Sequence, residues 1–65
     1  MCQTSVIVEH GDSEELLLEN VTALEVIDTG ISITTLFEGK KEYSGISIQR
    51  IDFNAGKVFC VKNGN

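Results

Sequence analysis

Apolar and polar residues alternate with a period of two through much of this chain, in short runs separated by glycine-bearing polar turns. Such alternation puts every second side chain on one face, the pattern of a strand with one buried side. Thr4 to Glu9 is a β-branched run, and His10-Gly11-Asp12-Ser13 after it supplies turn chemistry, so the two predict a first hairpin. Leu16 to Leu18, then Val21, Leu24, Val26 and Ile27, lead to a second turn signal at Asp28-Thr29-Gly30. Ile31 to Phe37 alternates, which predicts a half-buried strand with Ile31, Ile33, Thr35 and Phe37 on one face. Glu38 to Lys41 is a polar turn before Glu42-Tyr43-Ser44-Gly45. Beyond it Ile46 and Ile48 share a face, whereas Ile51 and Phe53 belong to a set one residue out of phase. A slip of one residue is what a β-bulge or bend produces. Asn54-Ala55-Gly56 is the last turn, and Lys57 to Lys62 the last strand, with Val58 and Cys60 opposite Phe59 and Val61. The tail Asn63-Gly64-Asn65 is expected to fray.

One segment competes for a helix. Ser13 to Leu18 opens with a capping residue and two acidic residues suited to a helix start, but it is too short to persist alone. Six or so short strands with turns of two to four residues predict an all-β fold, a small SH3-like antiparallel barrel whose closure removes most exposed edges. Residues 1–65 are expected to form one domain. A chain of 65 residues hides only about 60% of its unfolded surface, so dimerisation or a staple would help it.

Charge then removes whole classes of function. Five Lys and Arg against ten Asp and Glu give a net charge of −5, which works against binding a phosphate backbone. No nucleic-acid partner is expected. Basic amphipathic stretches, long apolar runs and signal segments are missing, so no membrane partner is expected and the chain is placed in the cytoplasm with reduced thiols.

Candidate chemistry is sparse. A Cys-His catalytic pair would need His10 beside Cys2, yet eight extended residues separate them by roughly 26 Å unless the chain folds back. His10 therefore reads as a surface turn residue, with a metal-ligand role open in an oligomer. Asp12, Glu14 and Glu15 lack the ligand spacing of a calcium loop. Cys60, among Val58, Phe59 and Val61, reads as a small buried hydrophobe with a raised thiol pKa. Tyr43, Phe53, Phe37 and Phe59 read as core or interface aromatics, and Arg50 with Lys57 is too sparse a basic set to build a base-stacking platform. No CxxC pair, phosphate loop or paired catalytic carboxylates are found, and the expectation is that the chain is not an enzyme.

Met1-Cys2 is the exception. Removal of Met1 would leave Cys2 with a thiolate and an α-amine on one residue, able to offer a metal sulfur and nitrogen in a five-membered chelate. Two such residues meeting in a dimer would complete four ligands.

Met1-Cys2 at the start, Thr34-Thr35-Leu36-Phe37, and Gly45-Ile46-Ser47-Ile48-Gln49-Arg50-Ile51-Asp52-Phe53 followed by Gly56-Lys57-Val58 resemble the CooT family of small proteins linked to nickel supply for carbon monoxide dehydrogenase maturation. The resemblance implies an SH3-like fold, a homodimer, and one Ni(II) per dimer bound at its interface through Cys2. It further implies carbon monoxide dehydrogenase or its maturation proteins as partners. Nitrogen and thiolate donors suit square-planar Ni(II), and two symmetry-related Cys2 chelates would fill the plane. Either the α-amine or, with Met1 retained, the Cys2 backbone amide could be the nitrogen. Two other readings remain at this point: a metal-free protein-interaction module, and an RNA-binding barrel that the acidic balance disfavours.

Overall fold

A computed structural model of the chain describes residues 4–63. Six strands account for most of them, and no helix is present among the described residues: β1 Thr4–His10, β2 Ser13–Ile27, β3 Gly30–Thr35, β4 Gly39–Ser44, β5 Ile46–Asp52 and β6 Lys57–Lys62. The Ser13 to Leu18 segment is the start of β2, where Ile7 pairs with Leu16 and Val8 with Glu15. A neighbouring strand supplies the backbone hydrogen bonds that one isolated helical turn cannot hold. The strands form one sheet in the order β4-β3-β2-β1-β6-β5.

Strand β2 is the spine. Its first part, up to Val21, pairs with β1, and the part from Val21 onward pairs with β3. The ladder slips on both sides of this changeover, since Thr4 pairs with Val21 but Val6 with Leu18, and Val21 pairs with Thr35 but Ala23 with Thr34. Extra residues bend a strand and raise its twist. Asn20 takes a positive φ of 60°, a conformation that Asn tolerates better than most residues. The back half of the sheet thereby folds over the front half.

Closure is achieved at Gly45. Strands β4 and β5 lie at opposite edges of the sheet, yet this single residue joins them, so the sheet must curl until those edges meet there. Gly45 has φ 74°, its N–H donates to the Thr29 carbonyl at 2.8 Å, and its own carbonyl accepts from the Asn63 N–H at 2.6 Å. One residue thus ties the β2–β3 turn to the end of β6.

The result is an all-β curled sheet, a half-barrel consistent with the small barrel expected from the pattern. Two details differ from a closed antiparallel barrel. Strand β6 runs parallel to β1, with Val6 opposite Val58 and Val8 opposite Cys60. The reason is the joint at Gly45, which carries the chain across to the other edge instead of reversing it in a hairpin. Strands β4 and β5 also remain edges, each with a single ladder partner.

The core follows the period-two pattern: Val6, Val8, Val21, Ile31, Ile33, Ile46, Val58 and Cys60 form one buried cluster, with Leu17, Leu18, Leu24, Tyr43 and Ile48 packed against it. The phase slip in β5 is a bulge between Ile48 and Arg50. Phe37 departs from expectation, being 77% exposed. Strand β3 ends at Thr35, whose Oγ1 accepts the Glu38 N–H at 3.1 Å. The turn that this bond closes takes Leu36 and Phe37 out of the alternation. The expectation of fraying at Gly64-Asn65 falls outside the described residues.

Candidate functional site

The fold has two distinct ends. At the Gly45 end lie the β1–β2 turn, the β2–β3 turn and the last residue of β6. At the other, the Thr4 end, the start of β1, the bend of β2 and the β3–β4 and β5–β6 turns come together. Ladder partners fix this placement: Thr4 lies opposite Val21, and Val21 opposite Thr35. Backbone bonds complete it, because the Ser5 N–H donates to the Gly56 carbonyl and the Leu36 N–H to the Asn20 carbonyl, both at 2.9 Å.

Cys2, the metal ligand expected from the sequence, lies outside the described residues. The described chain begins at Thr4, at the Thr4 end of the fold.

That end is unusually apolar. Phe53 is 86% exposed, Phe37 77% and Leu36 62%, although apolar side chains of this size are mostly found inside. The two turns that hold them are built by short polar bonds: the Ala55 N–H donates to Asp52 Oδ1 at 3.0 Å, and Lys41 pairs with Glu38 at 2.8 Å. The Glu38 carboxylate raises the pKa of Lys41, first through their hydrogen bond and then through its charge. Reading the sequence singled out Phe37 and Phe53 as aromatics of the core or an interface, and missed Leu36. A signal for it existed, since two successive apolar residues cannot both face the core from one regular strand.

The remaining expected groups are dispersed. Cys60 is fully buried on β6, and burial pushes its thiol pKa up. A protonated, enclosed thiol is a poor metal ligand. His10 sits toward the Gly45 end, its Nε2 3.2 Å from Glu15 Oε1. Asp12 and Glu14 are exposed beside it. Among the described residues no group of three or more His, Cys, Asp and Glu side chains is placed to hold a metal ion. Arg50 serves packing, lying 3.7 Å from the centre of the Phe59 ring and bonding Glu9 at 3.0 Å. An open cleft of about 300 Å³ at the Gly45 end is lined by Val26, Ile31, Ile46 and Ile48 together with polar turn residues.

Comparison with known proteins bears on the whole chain. A protein of Methanothermobacter thermautotrophicus, described only as uncharacterized, is 34% identical over 59 residues, covering 91% of this chain and 86% of its own. The crystal structure of "putative CooT from Carboxydothermus hydrogenoformans" superposes with a TM-score of 0.84 at 25% identity, covering 97% of this chain and 100% of that one. The model of the family described as CO dehydrogenase accessory protein CooT matches residues 1–60, from Met1-Cys2 to Cys60 on the last strand. The chain therefore belongs to the CooT family.

Proposed function

We propose that this protein is a Ni(II) carrier that binds one ion per homodimer through Cys2 and passes it to the maturation of carbon monoxide dehydrogenase. The observation that carries the reading is the family match, which spans nearly the whole chain and includes Cys2. The distribution of ligands supports it. Of the two thiols, Cys60 is enclosed and held protonated, which leaves Cys2 as the donor able to meet a metal.

The chemistry of Cys2 fits a cargo that must be both held and released. A thiolate and an amine, or a thiolate and a deprotonated backbone amide, form a five-membered chelate, and two chelates give the four strong donors that Ni(II) accepts in a plane. A site shared by two chains comes apart when the chains separate or when a competing ligand set takes the metal. Both donors must lose protons to bind, and their reference values lie near 8.5 for a thiol and about 7.7–8.0 for an α-amine. Nickel affinity should therefore rise from pH 6 to pH 9.

Adding nickel to the purified protein should produce thiolate-to-metal charge-transfer absorption that saturates near half an equivalent per chain. Cys2→Ser should abolish the band, and Cys60→Ser should leave it nearly intact. Undiminished nickel affinity in Cys2→Ser would overturn the reading.

A further inference from the structure

The open cleft of about 300 Å³ at the Gly45 end has no part in the nickel reading. One of its walls is the end of β2 and the start of β3, where Val26 and Ile31 stand opposite each other in the ladder. The other is the start of β5, with Ile46 and Ile48. The Gly45 N–H, donating to the Thr29 carbonyl, holds the two walls together at one corner. Ile31 and Ile46 belong to the core, whereas Val26 on the rim is 72% exposed. Apolar surface left open to water between fixed walls marks an interaction site. The volume is at the low end of ligand pockets, about 300–1,000 Å³, and suits a few side chains better than a large cofactor.

The backbone on one wall favours an extended occupant. Strand β5 has β6 as its single ladder partner, so its other edge is open. A segment laid along such an edge adds main-chain hydrogen bonds, and every second side chain of it turns toward the same pocket.

Charge selects the partner. The net charge of −5 is not spread evenly. Around the Thr4 end, Glu19, Glu38 and Asp52 are matched by Lys40, Lys41 and Lys57, and further along the sheet Glu9 is paired with Arg50. The unbalanced charge belongs to Asp12, Glu14, Glu15, Glu25, Asp28 and Glu42, against Lys62 alone. Asp28 lines the cleft itself, and Asp12, Glu14 and Glu15 lie in or beside the β1–β2 turn at the same end. An acidic rim around an apolar floor attracts cationic partners and repels anionic ones. A second copy of this chain, presenting the same acidic end, is repelled there.

We propose that the cleft at the Gly45 end docks an extended segment of a partner protein in which aliphatic side chains alternate with Lys or Arg. The aliphatic side chains enter between Val26 and Ile48, and the basic ones face the acidic turns. This docking does not depend on nickel, and Cys2→Ser should leave it unchanged.

The test is a titration of the isotopically labelled full chain with the capped peptide Lys-Ile-Lys-Ile-Lys, followed through its backbone amide resonances. Shifts should concentrate on residues 26–31 and 46–48 and saturate with a dissociation constant of about 1 mM or tighter. Lys-Ser-Lys-Ser-Lys keeps the charge and Glu-Ile-Glu-Ile-Glu keeps the apolar side chains, and each should bind at least about tenfold more weakly. Val26→Lys puts a like charge on the apolar rim and Asp28→Lys reverses the acidic one; each should weaken binding at least about fivefold. Both positions are exposed, so amide resonances away from the cleft should stay in place. No saturable shift at about 10 mM peptide would overturn the proposal. Equal binding of the serine peptide would overturn it too, since charge alone would then explain the attraction, as would shifts confined to the β1–β2 turn.

Discussion

At the scale of single residues, Cys60 and Phe59 show how much adjacent positions on one strand can differ. Cys60 points into the core and is fully buried, and its thiol pKa is raised above the ordinary 9.0 by desolvation. The unfolded chain therefore loses this proton first. Below pH 8 both states keep it and stability is unaffected, whereas between the ordinary and the raised value the folded state loses ground. Thermal melts of wild type and Cys60→Val should run parallel up to about pH 8.5 and converge or cross above it, as only the wild type carries the titrating thiol. Cys60→Ser puts a hydroxyl in the same place and should cost about 1–3 kcal/mol in urea titrations. Phe59 points the other way, with Ile7 beside it on β1, yet both are only 7% exposed. Arg50 covers the ring at 3.7 Å and is held there by Glu9. Arg50→Ala removes both contacts and should cost about 1–2 kcal/mol. The burial of Cys60 was legible from its apolar neighbours, and Phe59 was read as a core or interface aromatic; its cover was not legible, because it depends on Arg50 crossing from a strand whose bulge brings it opposite the ring.

At the scale of elements, the strands and most of their turns were legible, and the joint at Gly45 that sends β5 to the opposite edge of the sheet was not. Period-two alternation located the cores of β1, β3, β5 and β6, and the one-residue slip between Ile48 and Ile51 foretold the bulge in β5. Strand β2 was harder, because Leu16-Leu17-Leu18 breaks alternation. Leu17 is the extra residue at a slip, lying between the Leu16 that pairs with Ile7 and the Leu18 that pairs with Val6. Glycine marked the turns but not what each one does, since the same residue type does opposite things. A Cβ on Gly30 would stand 2.0 Å from the Tyr43 carbonyl oxygen, where β4 crosses the start of β3. Gly30→Ala must push that backbone away and should cost about 3 kcal/mol or more. A Cβ on Gly11, in the β1–β2 turn, would meet nothing within 4 Å, and the only penalty is its φ of +57°. Gly11→Ala should cost about 1 kcal/mol. Chemical denaturation of the two variants side by side measures the difference, and equal losses would contradict the close packing of β3 on β4.

At the scale of the whole molecule, net charge and its placement give different predictions. The value of −5 was enough to argue against a nucleic-acid partner from sequence alone. Only the folded chain shows that this charge is collected away from the Thr4 end. In the homodimer proposed above, two chains meeting through that end would hold their acidic turns at opposite extremes of the dimer, well beyond the screening length of about 10 Å at 0.1 M salt. Above that concentration repulsion between the copies is already screened, and added salt has nothing further to remove. At 0.01 M the screening length grows to about 30 Å, and the two acidic regions feel each other. The dimer dissociation constant should consequently change less than about threefold between 0.1 and 1 M sodium chloride and increase when salt falls to 0.01 M. Docking through the Gly45 end would press Asp12, Glu14, Glu15 and Asp28 of both copies together, and association would then strengthen steeply all the way to 1 M. Sedimentation across that salt series distinguishes the two arrangements without any substitution or metal, and a steep rise above 0.1 M would place the interface on the acidic turns instead of the aromatic ones.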